Sequence, residues 1–166
     1  MDIIQELNAD HAAIRAIILE LRSDSTSPEV RADKLQKLGS WLRAHGDGED
    51  RTIDAAAKTL GGELRTLGRE DDEEHDAINR LHAKLARTTN PQFRQARLRL
   101  LCELLSHHLK EEEEEFFPLL KRSLGPAERE KLGVRYRELT REIDRLRPEV
   151  AGSVLGWLTG RPDPNA

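Results

Sequence analysis

Apolar residues recur along this chain at alternating steps of three and four, the spacing that puts side chains on one face of an α-helix. Over 2–22 the stripe runs Ile4, Leu7, His11, Ile14, Ile18 and Leu21. A polar loop ending at Pro28 follows, and a second stripe carries Leu35, Leu38, Leu42, His45, Glu49, Ile53, Ala56 and Leu60 until Gly61-Gly62 stops it. The third predicted helix, 63–87, presents Leu64, Leu67, Asp71, His75, Ile78, His82 and Leu85. Asn90 ahead of Pro91 caps a fourth, 91–123, with Leu98, Leu101, Leu105, His108, Glu112, Phe116 and Leu119 on its stripe and Pro118 bending its last turns. Four long helices on short loops predict an all-α fold, an antiparallel up-down-up-down four-helix bundle over 1–124.

The remainder, 125–166, reads as a helical extension. Its first part, 126–147, has a thin apolar set of Leu132, Tyr136, Leu139, Ile143 and Leu146, which predicts a fifth helix on the outside of the bundle. Val150, Val154, Leu155, Trp157 and Leu158 are expected to dock on the protein or on a second copy, so monomer and homodimer both stay open. Residues 160–166 read as a tail.

Polar residues occupy places the apolar pattern reserves for the core. His11, His45, Glu49, His75, His108 and Glu112 all lie on the stripes, and a buried carboxylate without a partner costs several kcal/mol or changes its protonation. His45 and Glu49, and again His108 and Glu112, are four residues apart, about 40° around the helix and about 6 Å along it, so each pair shares a face. A single core histidine is more often a hydrogen-bonded core residue than a ligand. His11, His45, His75 and His108 on stripes, two of them followed by a glutamate one turn on, point to a metal instead. Imidazole plus carboxylate suits iron or manganese ahead of zinc.

Neighbouring polar residues are assigned by helical phase. Of the run Glu111 to Glu115, Glu112 is chosen as the inward member because it shares the stripe with His108, and Glu113 is second. His107 is expected to be exposed, and His82 to be a core histidine or one that supports a ligand. Asp71 is either a support for a ligand or helix-start charge. Gly46 and Gly48, unusual in mid-helix, suggest a distortion or a close approach to a neighbour.

Composition narrows the function classes. The 166 residues are 35% charged with a net charge of −4 and both signs interspersed, so no basic face advertises nucleic acid and no polybasic segment a membrane. A lone cysteine, Cys102, and a start without the charged and apolar pattern of a secretory signal lead to the expectation of a cytoplasmic protein. No Ser-His-Asp, Cys-His or phosphate-loop arrangement offers a competing chemistry.

At these residues the chain resembles the hemerythrin, or HHE cation-binding, family. Asp10-His11 followed by Ile14 looks like the family's opening. His45-Gly-Asp-Gly-Glu49-Asp50 is similar to its second motif, Glu74-His75 with Ile78 to its third, and His108 to Glu113 leading into Phe116-Phe117-Pro118-Leu119 to its fourth. The likeness covers about 1–124 in the right order. It implies a cofactor of two iron ions per chain, oxo- or hydroxo- and carboxylate-bridged, with His11, His45, His75 and His108 as terminal ligands and Glu49 and Glu112 as bridges. The oxygen-carrying members have a second histidine four residues after the third-helix one. Here that position is Asn79, which leaves a coordination place for water, hydroxide, oxygen, peroxide or nitric oxide.

Three functions are compatible with such a centre. One binds or senses oxygen or nitric oxide, in an oxygen- or iron-sensing role. Another reacts with peroxide or oxygen, as a catalase-like activity would, or donates iron under oxidative or nitrosative stress. In the third the metal, zinc or iron, only ties helices together. The small exogenous ligand is favoured because of Asn79.

Overall fold

The computed structural model describes residues 1–141, and these are helical with no strand among them. The helices are α1 (Ile3–Arg22), α2 (Pro28–Asp50), α3 (Ile53–Leu60), α4 (Gly62–Ala86), α5 (Pro91–Glu111), α6 (Phe117–Ser123) and α7 (Pro126–Leu139), with a π turn, Glu112–Phe116, between α5 and α6. None of them is long and apolar enough to cross a membrane. The expectations for Ile143 and Leu146, for the Val150 to Leu158 segment and for 160–166 lie outside the described residues.

Local chemistry sets the helix starts. Asp2 caps α1 by accepting from the Ile4 amide while Gln5 reaches back to the Asp2 amide, a capping box. Ser27 and Asn90 cap α2 and α5, each followed by a proline whose missing N–H costs nothing at that position. Gly61 and Gly62, with φ of 80° and 60°, supply the left-handed backbone that ends α3 and turns the chain into α4.

Two predicted continuous helices are broken. The stripe from Leu35 to Leu60 was expected to be one helix, but it divides at Arg51 and Thr52, where the Thr52 hydroxyl donates back to the Gly48 carbonyl at 2.7 Å. Such side-chain bonding competes with the regular ladder. In the fourth helix the departure begins before Pro118: the Phe117 amide bonds the Glu112 carbonyl, one residue further back than in an α-helix. Pro118 has no N–H to give and crowds the preceding turn, and the π turn absorbs that misfit.

The apolar side chains form two clusters. One gathers Ile14, Ile17, Leu38, Trp41, Ile78 and Leu105, and the other Ile3, Leu7, Ile53, Phe116, Leu120 and Tyr136. Each stripe passes from one to the other, through Leu7 and Ile14 on α1, Leu42 and Ile53 across the α2–α3 break, Leu64 and Ile78 on α4, and Leu105 and Phe116 on the fourth stripe. Between these stepping points lie the polar residues. α7 packs on α1 and α2, and it drives Tyr136 wholly into the interior. Its close seating needs Gly133 against the backbone at Met1 to Ile3 and Gly48 against the Tyr136 ring.

Candidate metal centre

All six residues singled out from the stripes meet in the layer between the apolar clusters, and all six are buried. His11 Nε2 lies 3.3 Å from a Glu112 oxygen and 3.9 Å from one of Glu49. His45 Nε2 is 3.1 Å and His75 Nε2 3.2 Å from Glu49, and His108 Nε2 is 3.5 Å from Glu112. Two donors bound to one first-row ion at about 2.1 Å each stand roughly 3 to 4 Å apart, so these separations fit a shared ion.

The donor atoms fall into overlapping groups. His11, His45, Glu49 and Glu112 bring one atom each within 4.8 Å of one another. Glu49 does the same with His75 and His108, and Glu112 with Asp71 and His108. Glu49 and Glu112 therefore belong to both sides of the layer.

Hydrogen bonding separates the two nitrogens of each ring. His11 Nδ1 donates to Glu113 at 2.8 Å, His108 Nδ1 to Glu74 at 2.8 Å, and His75 Nδ1 to Asp50 at 3.3 Å. The Tyr136 hydroxyl donates to Asp10 at 2.6 Å, so at 2.6 Å from His45 Nδ1 its oxygen accepts from that ring. Every Nδ1 thus carries a proton, and in the neutral ring the lone pair is on Nε2. All four Nε2 atoms, with both oxygens of Glu49 and of Glu112, are buried without a hydrogen-bond partner. Native proteins leave few buried polar atoms unsatisfied, and eight in one layer is a set of donors that could hold a cation.

Electrostatics of the layer's own side chains points the same way. Burial, and then the charge of Glu112, push the Glu49 carboxyl well above its ordinary range, and the same two causes raise Asp71. Burial works against a charged His11, yet Glu112 and Glu49 outweigh it and lift that ring to about 10. His75 also reaches about 10, with burial overcome by Asp50, Asp71, Glu112 and Asp54. His45 goes the other way, to about 4, chiefly through burial. Burial works against a charged Glu112, yet the facing His108 and His11 hold its carboxyl charged and below its normal range. Without a metal, the cations nearest these carboxylates are protonated imidazoles, and a metal ion competes with that proton for the same Nε2 lone pair.

The other assignments sort as follows. Glu113 is turned away from the layer and holds His11 Nδ1 while Arg15 grips it through two bonds of 2.7 and 2.9 Å. His107 is exposed and paired with Glu111. His82 is packed against Gly39 and bonded to the Leu35 carbonyl at 2.8 Å, away from the layer. Asp71 is buried, 3.6 Å from His75 Nδ1 and 3.5 Å from His108 Nδ1. A Cβ on Gly46 would meet the His75 ring at 3.3 Å, and one on Gly48 would meet Tyr136 and Thr140 at 2.7 Å, so these glycines mark close approach within a regular helix.

Sequence reasoning gave no role to Tyr136, Asp50, Asp54 or Phe117. Phe117 stacks on His11 with ring centres 5.4 Å apart, and the fully buried Asp54 adds charge beside His75. Tyr136 had one signal, as the lone aromatic in a helix with a thin apolar set; Asp50 had none beyond standing next to Glu49.

Imidazole nitrogens with carboxylate oxygens and no nearby sulfur form a donor set for first-row transition ions. Cys102 is buried in the apolar cluster with Ile14 and Leu105. Compared with known proteins, the chain matches no family model, no curated protein and no solved structure. What the layer can do follows from its own residues.

Proposed function

We propose that this chain is a hemerythrin-like protein, an antiparallel four-helix bundle that holds two iron ions and binds or reacts with oxygen, hydrogen peroxide or nitric oxide. The observation that carries the reading is the convergence of four unpartnered Nε2 atoms and the four oxygens of Glu49 and Glu112 in one buried layer. Contacts of α1 with α2, α2 with α4, α4 with α5 and α5 with α1 support the bundle, since they make the four long helices a closed ring of neighbours. Two glutamates shared between opposite histidine pairs favour a pair of ions over a single one. His11 and His45 would hold one, His75 and His108 the other, with Asp71 beside the second.

When bound, a pair of redox-active iron ions exchanges electrons with an oxygen- or nitrogen-centred ligand. The chain's own residues fix what reaches it. A cavity of about 10 Å³ touches His45, His75 and His108 and is walled by Ile14, Leu42, Ile78, Leu105 and Leu109, with Asn79 as its remaining polar side chain. Space for about one water-sized sphere admits a ligand of very few atoms and excludes an organic substrate. Those apolar walls also keep bulk water from the ligand.

The test is elemental analysis of protein from iron-sufficient cells, then visible spectra before and after anaerobic reduction and exposure to oxygen, peroxide or nitric oxide. A near-stoichiometric pair of irons with a band that answers to one of these ligands is expected. Glu112→Ala should lose metal from both halves together. Zinc alone, or a spectrum indifferent to all three ligands, would leave a metal that only ties the helices.

A further inference from the structure

A cleft of about 260 Å³ opens beside the His75 and His108 half of the layer. Six carboxylates line it, from Glu70, Asp71, Glu74, Glu111, Glu112 and Glu115, and no lysine or arginine does. Glu70 and Glu115 stand at its exposed rim. At its floor are Asp71 and Glu112, both over nine-tenths buried, with Asp71 Oδ2 and both Glu112 oxygens lacking a hydrogen bond. These two also belong to the donor group with His108. Two of the lining residues, Glu74 and Glu111, bring one donor atom each within 4.8 Å of one another and of the exposed His107 beside them, and Glu74 is the residue bonded to His108 Nδ1.

Several acidic groups elsewhere on this surface have cationic partners: Arg15 for Glu113, Lys58 for Asp72, Lys34 for Glu20 and Arg129 for Asp2. Glu70 and Glu115 form no ion pair among the described residues, and uncompensated like charge around one cleft opposes folding. The same arrangement focuses the field on a cation, and such clefts raise association rates by about 10 to 10³. The apolar clusters above and below the layer present no donors to an ion shedding its water, whereas a graded series of carboxylates can replace hydration oxygens one at a time.

We propose that this cleft is the route by which a divalent metal ion reaches the buried layer, with Glu74, His107 and Glu111 as its first resting place and Asp71 and Glu112 handing it inward. The proposal rests on the metal-binding reading above and adds a site outside it. It separates residues that set how fast metal arrives from residues that set how much is held.

The experiment follows cobalt(II) uptake by the metal-free full chain in a stopped-flow instrument, reading the visible bands of the bound ion at several salt concentrations. Glu70→Gln with Glu115→Gln removes two rim charges without touching a donor of the layer. Glu103→Gln with Glu130→Gln, exposed residues outside the cleft, makes the same change in net charge. Uptake in the rim variant should slow about tenfold and lose most of its salt dependence, with final cobalt per chain unchanged, while the control behaves as wild type. Equal uptake rates in wild type and rim variant overturn the route and leave the metal centre standing. A lower final occupancy in the rim variant overturns it too, because those glutamates would then be ligands. A wild-type chain that takes up no cobalt, iron or zinc overturns the metal reading and the route with it.

Discussion

Behind His11 and His45 stand Phe117, Tyr136 and Asp10, all buried, with Glu113 clamped by Arg15 on the outer side. Behind His75 and His108 stand Asp50 and Glu74, whose side chains are 43% and 38% exposed, and then the acidic cleft. The two halves share their residue types and the two glutamates that lie between them yet differ in the medium outside them. A hydrogen bond that water cannot replace holds a ring more firmly than one that water can. The first half is therefore an anchor and the second an accessible side.

The largest effect expected is from His45→Ala set against His75→Ala. Both should lower the metal held per chain, but His45→Ala leaves a cavity and removes the partner of Glu49 and the donor to the Tyr136 oxygen where water has no access, and should cost about 2 to 5 kcal/mol in urea unfolding. At His75 the cleft side can admit water, and a loss of roughly half that is expected. Equal losses in the two variants would erase the distinction between the halves.

Next comes Tyr136→Phe, which removes one hydroxyl from between His45 Nδ1 and Asp10. A loss of about 1 to 3 kcal/mol is expected, together with metal affinity weakened by about 10- to 100-fold in a chelator competition. An unchanged affinity would mean that His45 is oriented by packing alone. Glu74→Gln is the matching change on the open side, and because solvent reaches that carboxylate its effect on affinity should stay at or below about tenfold. Smallest is His107→Ala, at an exposed side chain: final metal content should be as in wild type and stability within about 0.5 kcal/mol, with only the rate of loading reduced. A large drop in metal content there would place His107 among the ligands and the rotation of α5 in error.

Periodicity carried much of this. His11, His45, Glu49, His75, His108 and Glu112 were legible because each is polar where the stripe demands an apolar residue, and the phase of a helix decides burial before any tertiary contact is known. The glycines at 46 and 48 announced a close approach in the same way. Helix starts were legible at Pro28 and at Asn90-Pro91, where capping chemistry is local.

The breaks were not. Thr52 reads as an ordinary member of a helix until Tyr136 of α7 and Thr140 just beyond it press on Gly48 and its hydroxyl turns back to the Gly48 carbonyl. Pro118 signals a bend, but the π turn that reconciles it with Glu112 facing the layer depends on what Phe116 and Phe117 pack against. Glu112 and Glu113 differ by one residue and about 100°, and their different partners, the layer for one and His11 Nδ1 with Arg15 for the other, are decided by α1.

The sequence by itself determined an all-helical chain and the six polar residues that would share its interior, because both follow from spacing along single helices. Only the tertiary structure decided which nitrogen of each imidazole faces inward, which half of the layer is sealed by Tyr136 and which opens to carboxylates. Those are relations between helices far apart in the chain, and no local period encodes them.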